Sequence, residues 1–178
     1  NLSEIYFAKS NIYLKISKLQ KAKIALERGL NIDPKNYRAI FQLGNIYLME
    51  QNYSEAIKFF DKSIKIKPDF WQAINNKGLA YFEKNDITLS INFFEKAISI
   101  NENAEPLLAL ASCLRTTNIK LAVELAKKAL TKDPNYVSYD YRKEQLWGDN
   151  LQSSTEILLK NSQLQADIIL AKSKINES

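Results

Sequence analysis

The sequence contains no histidine, a single cysteine, four glycines and four prolines in 178 residues. Histidine is the commonest metal ligand and the side chain whose unperturbed pKa lies nearest neutrality. Its absence removes most nucleophilic triads, zinc sites and base-shuttle mechanisms. One cysteine cannot close an intrachain disulfide, so a disulfide scaffold is excluded. Cys113 stands in the apolar run from Leu107 to Leu114 and reads as a small buried hydrophobe; the other reading, a reactive thiol, has only Arg115 nearby to stabilise a thiolate. Scarce glycine and proline exclude collagen-like and low-complexity material. No run approaches the roughly 18 apolar residues that would cross a bilayer. The sequence begins at Asn1 rather than Met, which leaves room for an upstream signal or anchor, and the expected location is cytoplasmic. Charge of one sign is also lacking: 25 Lys and Arg face 20 Asp and Glu, interleaved, and a net +5 suits solubility better than a grip on nucleic acid. What is present is a 46% hydrophobic chain with nine Tyr and eight Phe, enough to build a core.

The chain matches itself at a shift of 34 residues. Tyr13, Tyr47 and Tyr81 align, as do Ser10, Gly44 and Gly78; Ala22, Ala56 and Ser90; Leu26, Phe60 and Phe94; and Ile32, Ile66 and Ile100. Pro34 and Pro68 keep the period, whereas Pro134 falls two residues early, so a fourth, shortened unit carries Leu110, Ala111, Leu114, Ala122 and Ala129. Within each unit apolar residues recur at helical spacing in two blocks, such as Ile40, Leu43, Ile46, Tyr47 and then Ala56, Ile57, Phe60, Ile64. Polar turns at Gln51-Asn52 and Asn85-Asp86 separate the blocks, which makes each unit a helical hairpin. The small residues allow the paired helices to approach, and Asp33-Pro34 and Lys67-Pro68 end the second helix of a unit.

Leu43-Gly44, Tyr47, Ala56, Phe60 and Pro68 resemble the signature of the tetratricopeptide repeat, or TPR. The resemblance covers about residues 3 to 136, with Ser10 replacing the first small glycine and Glu102 the proline that should close the third unit. It implies an all-α, right-handed superhelical solenoid of helix-turn-helix units at 3–36, 37–70, 71–103 and 104–136, with capping helices over 137–178. The signature residues read as core. The tract from Lys143 to Gly148 faintly resembles tails of cyanobacterial and plastid TPR proteins.

In the TPR family the first helix of each unit lines a concave groove, which implies that Phe7, Asn11, Lys15, Arg38, Phe41, Gln42, Asn45, Asn75, Asn76, Leu79 and Phe82 face a bound peptide. By the same register Glu105, Leu108, Ala109, Ser112 and Arg115 face it from the fourth unit. An Asn or Gln side chain both donates and accepts, so a row of them suits the main chain of an extended segment; Phe7, Phe41, Leu79 and Phe82 are expected to supply side-chain pockets. Solvated surface amides are the plainer reading of any single Asn. The carboxylate clamp of chaperone-binding TPR domains is not expected, because Phe41, Glu105 and Ala109 stand where that resemblance requires cations. Arg38 and Lys15 favour an acidic segment. The expected function is therefore a protein-interaction adaptor or assembly scaffold for an extended or helical peptide; self-association through the C-terminal helices is the alternative, and an RNA-binding helical repeat ranks below both. No enzyme activity, cofactor, metal or nucleic-acid partner is expected. Asp61 and Glu95 recur with the scaffold, as solvated helix positions do.

Overall fold

The structure is a computed structural model that describes residues 1–177, and among these it is helical throughout, with no strand. Paired helices follow one another: α1 (Leu2–Lys15) with α2 (Leu19–Ile32), α3 (Tyr37–Met49) with α4 (Tyr53–Ile66), α5 (Trp71–Glu83) with α6 (Ile87–Ile100), and α7 (Ala104–Leu114) with α8 (Ile119–Lys132). A 3-10 turn over Pro134–Val137 leads to α9 (Tyr139–Glu144), α10 (Asp149–Leu159) and α11 (Gln165–Asn176). The chain divides into two compact units, residues 1–76 and 77–178, the cut falling inside α5.

Side-chain caps start these helices where the sequence supplies Asn, Asp or Ser. Asn36, Asn52, Asp86, Asn103, Asn118 and Ser138 each accept an N–H from the first turn. The hairpin turns repeat in detail. Ser17, Gln51 and Asn85 adopt left-handed φ values of 56°, 57° and 63°. The next residue's N–H reaches back to Tyr13, Tyr47 or Tyr81. This is a helix C-terminal motif that usually employs glycine.

Glycine is instead kept for close packing. A Cβ on Gly44 would lie 2.5 Å from the Phe60 ring, and one on Gly78 would lie 2.7 Å from Phe94. The first hairpin reverses the arrangement: Gly29 on α2 receives the Phe7 ring, while Ser10 and Leu26 occupy the positions of Gly44 and Phe60. In residues 1–76, Ala22, Leu26, Ala39, Leu43 and Ile46 form a core into which Phe7, Tyr13 and Leu14 pack.

The shortening of the fourth pair has two sources. The α6–α7 connection is three residues where the earlier ones are four, and α7 has 11 residues where α3 and α5 have 13, its end closed by Asn118 N–H on the Leu114 carbonyl without a left-handed residue. Glu102, in place of proline, pairs with Lys128 and Lys132 of α8. In the C-terminal segment Leu151, Leu158, Leu164, Ile168 and Ala171 are buried, whereas Ile157 is exposed.

Candidate protein-interaction surface

In residues 1–76 the carboxamides meet one another. Gln42 Nε2 donates to Asn11 Oδ1 at 2.8 Å, and Asn76 Nδ2 donates to Asn45 Oδ1, also at 2.8 Å. Both pairs join residues 31 apart, so one contact is made twice at the repeat period. Asn75 Nδ2 donates to Asn76 Oδ1 at 3.1 Å, while Asn75 Oδ1 is buried without a partner. The first pair is exposed, the second is partly buried, and Asn75 is fully buried. Each pair uses one oxygen and one NH2 group, leaving the NH2 groups of Asn11 and Asn45 for a further acceptor.

Around the amides, Asn11, Lys15 and Arg38 are exposed and Phe7, Phe41, Gln42 and Asn45 are half-buried. Phe41 stacks edge-on against Phe70 at 5.0 Å and leans on Phe60 at 5.8 Å, which fixes its ring as a wall. Phe7 is committed to Gly29 and the core. Arg38 lies over the Tyr37 ring at 5.4 Å, within cation–π range.

In residues 77–178 the sequence-based expectation needs correction. Leu79 and Phe82, expected to offer open pockets, are only 1% and 7% exposed. Glu105, Leu108, Ala109 and Ser112 are also buried. The chain itself covers much of this face: α10 lies on α7. Ser112 and Thr155 hydroxyls meet at 2.7 Å, Ser154 Oγ donates to Ser112 O at 2.8 Å, and Arg115 Nε donates to Ser154 Oγ at 2.8 Å. Trp147 Nε1 donates to Glu105 Oε1 at 3.3 Å. The backbone N–H groups of Asn150 and Leu151, which open α10, donate to the Glu83 carboxylate at 3.2 and 3.0 Å. A carboxylate there complements the positive end of the helix dipole.

Burial pushes the Glu83 carboxyl above the usual range, and the Leu151 and Asn150 N–H groups offset only part of that shift. A raised carboxyl stabilises the fold in its protonated form, and that contribution is lost as pH rises from 4.5 through the raised value. Glu83→Gln keeps an acceptor without the charge. Its stability should vary less than the wild type's over roughly pH 4 to 7, as urea melts across that window would show; parallel profiles would refute this role.

Cys113 is buried 3.8 Å from Ser90 Oγ, and burial pushes its thiol up to about 12, so little thiolate forms at neutral pH. Sequence reasoning missed Arg142, whose fully buried guanidinium bonds Gln152, the Tyr136 carbonyl and Glu156. The available signal was Gln152 and Glu156, four residues apart on one face of α10.

Family models described as tetratricopeptide repeat match residues 3–36, 37–70 and 72–103, more than half of the chain. The chain belongs to the tetratricopeptide repeat family. TPR units are in general interaction modules rather than catalysts. Among solved structures, this TPR chain is similar to MamA protein, with 18% identity, coverage of 99% of this chain and 94% of that one, and a TM-score of 0.68. It is similar to MamA 41-end from Desulfovibrio magneticus RS-1 at 17% identity, 97% coverage of both chains and a TM-score of 0.70. YrrB, described as a TPR protein with an unusual peptide-binding site, is 16% identical over 94% of this chain and 90% of that one, with a TM-score of 0.63. At these identities the likeness concerns the fold. No curated protein matches. Among the described residues, no helix is long and apolar enough to cross a membrane.

Proposed function

We propose that this TPR chain is a protein-interaction adaptor that holds an extended or helical segment of another protein against the amide-bearing face of residues 1–76. The observation that carries the reading is the repeated amide contact, Asn11 with Gln42 and Asn45 with Asn76. A pairing kept at the repeat period fixes the orientation of each carboxamide while leaving hydrogen-bonding capacity on Asn11 and Asn45 for a ligand carbonyl. Phe41 supplies a rigid apolar wall, and exposed Arg38 and Lys15 favour an acidic segment. YrrB, with its peptide-binding site, lends the reading support by analogy of fold. The helices over 104–136 act in this scheme as a fourth, shortened TPR unit, and those over 137–178 as its closure.

The test is an array of acidic and neutral 12-residue peptides screened with the full chain, followed by fluorescence anisotropy on the best binder. Asn45→Ala/Asn76→Ala should weaken that binder by about 5- to 30-fold, the loss of one or two hydrogen bonds. Arg38→Ala should reduce the salt dependence of binding to an acidic peptide. Equal affinity of wild type and the Asn45/Asn76 variant would rule out the amide face as the recognition surface.

A further inference from the structure

We infer that the first hairpin holds a binding place for a single aromatic ring, the phenylalanine or tyrosine of an acidic segment in a partner protein, stacked on Tyr13. The place is separate from the amide face. At about 100° per residue, Tyr6, Lys9 and Tyr13 leave α1 on the side opposite Asn11 and Lys15.

The next two hairpins carry the ring that this one lacks. Tyr47 stacks on Phe59 with centroids 5.2 Å apart and planes 14° from parallel, and Tyr81 stacks on Phe93 at 5.4 Å and 2°. Tyr13 keeps the tyrosine of the pair, but Ala25 takes the position of Phe59 and Phe93. The cations that attend the missing ring are retained. Lys77 Nζ lies 4.3 Å from the Phe93 centroid, and Lys62 Nζ lies 4.7 Å from that of Phe59. At the repeat period Lys9 holds the position of Lys77 and Arg28 that of Lys62. Lys9 Nζ already stands 5.8 Å from the Tyr13 centroid, the distance that Lys77 keeps from Tyr81.

The unfilled position opens to solvent as a surface pocket of about 220 Å³ over Tyr13 and Ala25, with Tyr6 and the exposed Ile24 beside them. That is smaller than the roughly 300 to 1,000 Å³ of sites for larger small molecules, and it suits one aromatic side chain. Charge chooses what flanks the ring. Lys9, Lys21 and Arg28 line the pocket, no carboxylate does, and all three are exposed and outside any ion pair among the described residues. A ring seated there stacks on Tyr13 and meets Lys9 and Arg28, while neighbouring Asp or Glu complement the three cations.

The probe is the peptide acetyl-Gly-Glu-Phe-Glu-Gly-amide, titrated into the full chain with isotope-labelled tyrosine rings. The Tyr13 ring resonance should move, and leucine in place of the peptide's phenylalanine should weaken binding about tenfold. Ala25→Phe supplies the ring from the chain itself and should abolish the shift without lowering the melting temperature. Lys9→Ala/Arg28→Ala changes exposed side chains only and should weaken the peptide about tenfold, which keeps a test in hand if the larger ring at position 25 disturbs folding. Asn45→Ala/Asn76→Ala should bind this peptide as the wild type does. A Tyr13 resonance unmoved at millimolar peptide overturns the inference, as does equal affinity for the leucine peptide or undiminished binding by Lys9→Ala/Arg28→Ala. Loss of binding in Asn45→Ala/Asn76→Ala also overturns it, by placing the peptide on the amide face. So does tighter binding of uridine 5′-monophosphate, because the ring would then be a nucleobase. A wild-type chain that is dimeric in sedimentation and monomeric as Ala25→Phe counts against it too, with a second copy as the occupant.

Discussion

Replacing Arg142 with alanine is expected to lower the unfolding free energy by about 2 to 4 kcal/mol. The guanidinium is 0% exposed, its Nε donates to Gln152 Oε1 at 2.8 Å and its Nη1 to the Tyr136 carbonyl at 2.7 Å, and its Nη2 pairs with Glu156. Truncation strands two acceptors away from water and opens a cavity among the 3-10 turn, α9 and α10. The Glu156 side chain remains 45% exposed, so its freed charge can hydrate, which keeps the cost below that of a fully buried broken pair. Burial lowers the Arg142 pKa, but arginine stays charged at neutral pH, and lysine cannot reproduce three bonds directed from a planar fork. Arg142→Lys should therefore recover little. For a chain of this size the loss corresponds to a melting temperature lower by about 4 to 16 °C. Calorimetry would measure it, and hydrogen exchange should place the loosened amides in residues 134–160. A variant melting within a degree of wild type would show that the guanidinium does not hold this segment.

Arg142 also marks where the sequence stops being legible. The hairpins could be read because their determinants are local and repeated: caps at Asn52 and Asp86, turns at Gln51 and Asn85, and small residues opposite Phe60 and Phe94. Each is set by neighbours within one repeat, and each recurs at the same spacing. The C-terminal segment was readable as helical, and its helices bury Leu151 and Leu158 while leaving Ile157 exposed. Their destination was not. The contacts that seat α10, Ser112 with Thr155 and Glu83 with the N–H groups of residues 150 and 151, join positions 43 or more apart and occur once, so no periodicity announces them. The amide face was legible in part. The resemblance to the repeat family implied a shared face for Asn11, Gln42, Asn45, Asn75 and Asn76, but not the bonding of these amides across neighbouring helices, and Asn75 is fully buried.

Gly44→Ala is expected to destabilise by about 1 to 3 kcal/mol, although alanine is the better helix former by about 1 kcal/mol. The added Cβ would lie 2.5 Å from Phe60 Cε1 and 2.7 Å from Cδ1. That ring is fully buried, and Phe41, itself packed on Phe70, leans against it, so it cannot swing aside without disturbing two further aromatics. The clash must then be relieved by moving α3 away from α4. The first hairpin suggests the compensating change, because Ser10 and Leu26 stand at the same repeat positions and Leu26 is fully buried. Phe60→Leu alone should cost about 1 to 2 kcal/mol through the space it leaves. Gly44→Ala/Phe60→Leu should cost clearly less than the two losses added, with a favourable coupling of about 1 kcal/mol or more. Urea denaturation of the four chains closes the cycle. Additive losses would mean that the glycine is retained for a reason other than the ring above it, and would remove steric matching of small and large residues as the principle that sets the distance between paired helices in this chain.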